Sequence, residues 1–414
     1  MAEHYDELET RAPEARERAQ FESLRKLLVE AMADAPGWAA QLAGTDPASV
    51  TDRAALARLP VLRKSALGEM QRAAPPFGAL TTRPASDFDL VFQSPGPIYE
   101  PGIAGADWWR LARALWAAGL RRDDVMHNAF AYHLTPAGHM LESGARGIGA
   151  TVLPGGVGNS EAQATAAAET GASFYAGTPD FLKTLIDKAA ELGRALKITR
   201  ALVSGGPLFP AMRQGYAEAG IACLQCYATA DLGLIAYETG GPDGPNPGMV
   251  CDEGAIVEIC RPGTGDPVPD GEVGKVVVTT LNWDYPLIRF ATGDLSAVLP
   301  GASPCGRTGP RIRGWMGRAD QTTKVKGMFV RPEQVAEVVR RHPEVLKARL
   351  TVSRVGDADT MTLAIETAAA SAGLAAAVAE TLRDVCKLRG EVETASPGSL
   401  PNDGKVIDDI RKFD

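Results

Sequence analysis

One pattern constrains the fold of this chain more than any other. Between residues 87 and about 300, short runs rich in Val, Ile and aromatics alternate with alanine-rich stretches at helical spacing. GATVLPGG reads as a strand and turn, and EAQATAAAETG as a helix stopped by Gly171. SFYAGTP reads as a strand, PDFLKTLIDKAAELG as a helix ending near Gly193, and TRALVSGG as a strand ending in glycines. Strands that alternate with helices imply a parallel, doubly wound sheet. DWWRLARALWAAGL reads as one helix with Trp108, Leu111, Leu115 and Ala118 on a common face. Between residues 250 and 300, GAIVEIC and GKVVVTTL have no helix between them, and PDGEVG supplies a turn. That stretch is expected to be antiparallel.

The flanks differ. The first 35 residues alternate charged and apolar positions at helical spacing, and Thr51 or Asp52 can cap a helix that Pro60 breaks. A composition shift at SPCGRTGPRIRGWMGRAD precedes helix at 332–341, strands at 345–353 and 361–366, helix at 372–388 and a strand at 390–394. The 414 residues exceed one ordinary core. The fold class expected is therefore α/β. A large N-terminal domain, 1–319, carries doubly wound, mostly parallel sheets plus an antiparallel section, and a small mobile α+β C-terminal domain covers 320–414.

Bulk chemistry narrows the function. A net charge of −8 argues against a nucleic-acid surface. The N-terminal stretch is too acidic for a targeting peptide, and no apolar run nears the ~20 residues of a membrane span. A soluble, cytoplasmic chain, monomer or homodimer, is expected. Cys223 and Cys226 form a CxxC with no second pair, and the five histidines lack metal spacing. Buried free thiols are the expected state of those cysteines, with structural zinc at Cys223 and Cys226 the lesser alternative.

Ligand chemistry in open α/β sheets collects at the carboxyl ends of strands. Four glycine-bearing turns follow expected strands: Ser94-Pro95-Gly96, Gly155-Gly156, Gly205-Gly206 and Thr292-Gly293-Asp294. YATADLG would present Thr229 and Asp231, a hydroxyl and a carboxylate suited to a phosphate and its Mg2+ or, equally, to a stabilised turn. Asp294 in RFATGDL suits ribose hydroxyls or a loop apex, and Arg289 and Arg318 suit anions or solvent. Lys405 follows the turn signal Asn-Asp-Gly; it is either an exposed tail lysine or a point charge for a developing negative transition state. Phe130, Tyr132 and His133 could wall a flat apolar pocket.

In this order, the fragments resemble the adenylate-forming ligases, and within them the phenylacetate–CoA ligase branch. YATADLG resembles the family's Tyr-Gly-Leu-Ser/Thr-Glu motif, YPLIRFATGDL its Arg-Tyr-x-Thr-x-Asp-Leu motif, and DGKVIDDI its catalytic-lysine segment. SPCGRT and GWMGRADQTTKVKGMFVRPEQVAEVV resemble the branch's Cys-Gly-Arg-Thr and hinge-entry signature, and the likeness runs from LPVLRKSALGEM to Lys405. The resemblance implies ATP, Mg2+ and coenzyme A as cofactors and an aryl carboxylate as partner substrate, with no nucleic acid or membrane partner. Gly205, Gly206, Tyr227, Ala228 and Thr229 would meet the nucleotide, as would Asp294, Arg318, Ser94 and Gly96. Asp231 would hold the metal and Lys405 would serve acid activation. Asp320 would be the hinge, Lys326 and Gly327 would line the coenzyme A path, and Phe130, Tyr132, His133 and Gly138 would shape the acid pocket.

The sequence departs from the pattern at the phosphate loop. The family's Ser-Ser-Gly-Thr-Thr-Gly-x-Pro becomes SPGPIYEP, keeping Ser94, Gly96 and Pro101. Its prolines lack N–H donors, and Glu100 would repel a phosphate unless Mg2+ lies between. Two readings follow: an active aryl-acid–CoA ligase with a remodelled loop, or a ligase-fold protein that binds nucleotide or acyl-adenylate without ligation or passes the acyl group to another acceptor.

Overall fold

The computed structural model describes residues 4–105, 107–206, 208, 210–241, 244–316, 323–326, 328–355, 358–368, 372–401 and 405–411. They form two compact units: Met1–Val257 with Val278–Phe290 and Leu299–Gly314, and Glu258–Val277 with Ala291–Val298 and Trp315–Asp414.

In the first unit, parallel strands β3 (Val125–Asn128), β4 (Thr151–Pro154), β5 (Phe174–Gly177), β6 (Arg200–Val203) and β7 (Ala222–Thr229) lie in the order β4-β3-β5-β6-β7. Antiparallel strands β8 (Gly233–Tyr237), β9 (Met249–Cys251) and β10 (Arg311–Ile312) extend the sheet from β7. Helices α4 (Ala137–Ile148), α5 (Ser160–Thr170), α6 (Pro179–Glu191) and α7 (Pro210–Glu218) connect the parallel strands. Two apolar cores flank the layer. One gathers Leu111, Leu115, Met126, Phe174 and Leu202; the other gathers Ala167, Tyr175, Leu182, Leu185 and Val203. Buried strands of a parallel layer need apolar side chains on both faces, which is why these runs do not alternate.

The N-terminal helix α1 spans Pro13–Asp34 and buries Phe21, Leu24, Leu27 and Leu28. Asp52 caps the short helix Arg53–Leu56 through Ala55 N at 2.8 Å. Downstream come α2 (Lys64–Ala73), the antiparallel hairpin β1 (Leu90–Ser94) and β2 (Ile98–Gly102), and α3 (Ala112–Ala117). The helix expected over DWWRLARALWAAGL is shorter than its pattern. Asp107 accepts Ala112 N at 3.0 Å, and Arg110 takes a left-handed φ of 67°, so regular helix begins only at Ala112.

In the second unit, β15 (Glu391–Ala395), β14 (Ala358–Glu366), β13 (Lys347–Val355) and β16 (Ile407–Asp409) form a sheet in that order, after the hairpin β11 (Thr323–Val325) and β12 (Met328–Val330). Helices α8 (Pro332–Arg340) and α9 (Ala372–Cys386) share its core, with Val335, Val338, Leu350, Leu363, Val378 and Leu382 buried together. Helices α8 and α9 and strands β13, β14 and β15 lie within a few residues of where the sequence pattern sets them, whereas β11, β12 and β16 were not expected from it.

All six cysteines are free; five are buried and Cys305 is half-buried. Burial pushes the Cys223 and Cys226 thiols up to about 12, so the CxxC stays protonated. Among the described residues no helix is long and apolar enough to cross a membrane.

Candidate active site

The turn between β7 and β8 is built by YATADLG. A register shift between Tyr227 and Ala228 bulges the β7–β8 pairing, which continues to Thr229 opposite Gly233. Thr229 Oγ1 then accepts Leu232 N at 3.1 Å. Gly233 has φ 71°, and a Cβ there would lie 2.7 Å from the Trp109 carbonyl oxygen, so only glycine fits. The turn places Asp231 inside. Its side chain is fully buried, and Oδ2 takes the Lys64 ammonium at 2.5 Å. Its other oxygen, Oδ1, is buried with no hydrogen-bond partner.

The phosphate-loop stretch folds as the β1–β2 hairpin, with Ser94 opposite Ile98 and Phe92 opposite Glu100. At its tip only Gly96 retains an N–H, because Pro95 and Pro97 have none. The Tyr99 N–H donates to Gln71 Oε1 at 2.8 Å, and Gln71 Nε2 returns a bond to the Tyr99 carbonyl at 2.7 Å. Gln71 therefore uses the backbone donor that a phosphate cradle would need.

Glu100 is 1% exposed. One carboxylate oxygen accepts the Ser94 hydroxyl, and the other, Oε2, is buried without a partner. Burial pushes its pKa from 4.5 to about 8, Asp231 adds to the rise, and Ser94 and Lys64 oppose it. Burial, with the Asp231 and Glu100 charges, likewise holds the Tyr285 hydroxyl protonated. That hydroxyl is also buried and unpartnered. Buried oxygens left unsatisfied cost free energy, and such sites often await a ligand. A hard cation takes oxygen ligands and in Mg2+ sites uses one or two carboxylates, so these groups fit the metal that Asp231 was expected to hold. Among the described residues no group of three His, Cys, Asp or Glu forms a closed cage.

The expected acid-pocket residues cluster on the first unit, apart from one. Asn128 Nδ2 donates to the Tyr132 hydroxyl and to the Gly138 carbonyl, both at 2.8 Å. A Cβ on Gly138 would lie 2.7 Å from Tyr132 Cδ2, so the glycine is sterically required. Phe130 is buried, and a methyl placed on Gly205 would sit 3.6 Å from Phe130 Cε1. Gly206 lies beside Pro179. His133, in contrast, is exposed.

Several expectations change. Asp294 does not sit at a loop apex. It lies inside the strand Phe290–Leu299, 6% exposed, with Oδ1 accepting Trp315 Nε1 at 3.1 Å. Gly293 takes a left-handed φ of 84° inside that strand, which runs on through it. Arg289 is not a surface anion binder: it is buried, and Nη1 donates to the Ala57 and Leu59 carbonyls at 2.7 Å each. Lys405 is exposed and pairs with Asp408 at 2.8 Å. Lys326 is exposed at a left-handed φ of 48°. Arg318, Asp320 and Gly327 lie outside the described residues.

The Cys-Gly-Arg-Thr motif does structural work. The Arg307 Nε–Glu9 Oε1 bond is 2.5 Å with both side chains buried, and the Tyr237 hydroxyl donates to the same Glu9 oxygen at 2.5 Å. Arg16 meets Glu253 at 2.7 Å and donates to Thr308 Oγ1 at 2.6 Å. The motif thus fastens the N-terminal segment. Sequence reasoning missed Lys64, which lies 167 residues from the Asp231 it pairs with, and Tyr285, whose burial arises only from the fold.

No family model matches the chain. It is 29% identical over 375 residues to the phenylacetate–coenzyme A ligase of Thermus thermophilus, covering 87% of this chain and 83% of that one. It is 28% identical over 385 residues to the enzyme of the same name from Escherichia coli, covering 87% and 84%. Among solved structures, 2-hydroxyisobutyryl-CoA ligase in complex with 2-HIB-AMP and CoA matches with a TM-score of 0.71 at 25% identity, covering 99% of this chain and 93% of that one. In fold and in sequence alike the chain is similar to acid–CoA ligases. Within that class its similarity runs to the phenylacetate–CoA ligases.

Proposed function

We propose that the chain activates an aryl carboxylic acid with ATP and passes the acyl group to coenzyme A. A carboxylate oxygen of the acid attacks the α-phosphorus of ATP, forming acyl-AMP and releasing pyrophosphate. The thiol of coenzyme A then attacks the acyl carbon, and AMP leaves as the thioester forms. The observation that carries this reading is the Asp231 carboxylate, sealed in the YATADLG turn with one oxygen on Lys64 and the other open. Similarity to phenylacetate–CoA ligases over most of the chain supports it.

In this reading Thr229 touches the α-phosphate, and Gly205, Gly206, Tyr227 and Ala228 face the adenine. Asp294 and Arg318 meet the ribose side. A magnesium ion on Asp231 would neutralise phosphate charge. Lys405 offsets the negative charge that builds during acid activation. Phe130 and Tyr132 give the pocket aromatic walls suited to a flat ring such as phenylacetate or indoleacetate. Lys326 and Gly327 line the coenzyme A path. Lys405 and Gly327 serve different steps from one small unit, so that unit turns about Asp320 between them.

A second reading has its own support. The hairpin with two prolines, and with Tyr99 claimed by Gln71, favours a protein that binds nucleotide or acyl-adenylate without ligation. Acid-dependent pyrophosphate release separates the two. Wild type should release pyrophosphate with an aryl acid, and Lys405→Ala should lose at least tenfold of that rate. The same low rate in both would favour the second reading.

A further inference from the structure

Where a phosphate-binding loop would offer backbone N–H groups, this chain offers a carboxylate, and the groups around that carboxylate are unbalanced. Two acids and one base meet in the interior of the first unit. Lys64 Nζ neutralises Asp231 through Oδ2 at 2.5 Å. Glu100 has no ion pair of its own among the described residues; its hydrogen bonding is to Ser94. Three buried oxygens remain without hydrogen-bond partners: Asp231 Oδ1, Glu100 Oε2 and the Tyr285 hydroxyl. Both carboxyl groups are more than nine-tenths buried. Gly102, two residues beyond Glu100 on β2, and Gly233, two residues beyond Asp231, both lie against Trp109: a Cβ on either would come within 2.8 Å of it. The two carboxyl groups therefore share one interior region, and their charges act on one another and on Tyr285.

A buried carboxylate without a counter-charge is costly, and a cation that takes its open oxygen removes that cost. Resting on the reading above, we propose that Glu100 and Asp231 together hold one divalent cation, so that the remodelled hairpin grips the metal rather than the phosphates. The ion takes Asp231 Oδ1 and Glu100 Oε2, the two oxygens left open, while Lys64 keeps Asp231 Oδ2. Two carboxylates with water and a nucleotide phosphate form the ligand set that Mg2+ prefers over a closed protein cage. The hairpin supplies its ligand from a strand position, Glu100 opposite Phe92, so the loop's lost N–H donors are not needed to place the ion.

The test is a titration of the full chain with Mn2+, the spin-active stand-in for Mg2+, by electron paramagnetic resonance without nucleotide. Wild type should bind one ion, and Glu100→Gln, close in shape but uncharged, should bind it at least tenfold more weakly. Lys64→Met, which removes the competing ammonium, should bind it more tightly. Mn2+ affinity unchanged in Glu100→Gln, or no binding by wild type at millimolar metal, would overturn the proposal. If Glu100→Gln does not fold, Glu100→Asp keeps the charge on a shorter arm and should bind the ion more weakly than wild type; Mn2+ affinity unchanged in Glu100→Asp, or undiminished in Asp231→Asn, would overturn it too. Pyrophosphate release is scored separately. Acid-dependent release with Mn2+ binding indifferent to Glu100 sinks this proposal and leaves the ligase reading. Mn2+ held through Glu100 with no release for any acid sinks the ligase reading and leaves the site.

Discussion

Replacing Arg307 with methionine should lower the stability of the first unit by about 3–5 kcal/mol, the usual cost of removing one partner of a buried ion pair. The arginine and Glu9 are both buried, with Nε on Oε1 at 2.5 Å. Removing the guanidinium strands the Glu9 charge inside the protein, still tied to the Tyr237 hydroxyl and the Tyr5 N–H. It also takes away the cation lying over the Tyr237 ring at 5.8 Å. Tryptophan fluorescence during urea unfolding reads the effect, since Trp38, Trp108, Trp109, Trp116 and Trp283 all lie in that unit. The double variant Arg307→Met with Glu9→Leu should recover much of the loss, because an apolar pair leaves no buried charge. A midpoint that does not move in the single variant would show that this network contributes little.

The second large effect concerns Glu100 and depends on pH. Its pKa rises from 4.5 to about 8 in the folded chain, chiefly through burial. Below pH ~4.5 the group is protonated in both folded and unfolded chains and costs nothing. As pH rises towards 8, the unfolded chain releases the proton while the folded chain keeps it, so stability falls through that window. Above 8 both states are ionised and the full cost remains. A shift of this size corresponds to on the order of 4 kcal/mol. Glu100→Gln should therefore unfold at higher urea than wild type, with a small gain at acid pH and its full gain above the folded pKa. The comparison is made on metal-free protein. A gain of equal size at both ends of the range would mean that the carboxyl group is not held neutral.

Much of the architecture was legible because it is periodic and local. The β3-to-β7 alternation, the cap at Asp52 and the α+β order beyond Thr323 all follow from spacing and turn chemistry within a few residues. The failures have physical causes. Apolar periodicity carried the α3 helix back to Trp108, but the Asp107 carboxylate competes for Ala112 N and Arg110 takes a left-handed conformation. A glycine and an aspartate in ATGDL read as a turn, yet the strand passes through them. The site was legible only in part. YATADLG marked Asp231, but nothing near it in sequence points to Lys64, 167 residues away. Glu100 was visible as a departure from a pattern, while its burial and its missing partner arise only when the hairpin folds. Lone lysines and tyrosines carry no spacing signal, so long-range partners of that kind stay hidden until the sheet brings them together.

The unequal burial of the thiols has a practical result. Five cysteines are enclosed, and Cys305 alone is half-buried. Burial pushes the Cys305 thiol up, but hydrogen bonds from Ser303, Thr239 and Arg307 outweigh it and leave the net shift downward. An alkylating dye added to the native chain should attach at this one position and leave the other five untouched until unfolding. The fluorophore would then stand beside the Arg307–Glu9 staple, where its emission reports the release of the N-terminal segment without any engineered residue.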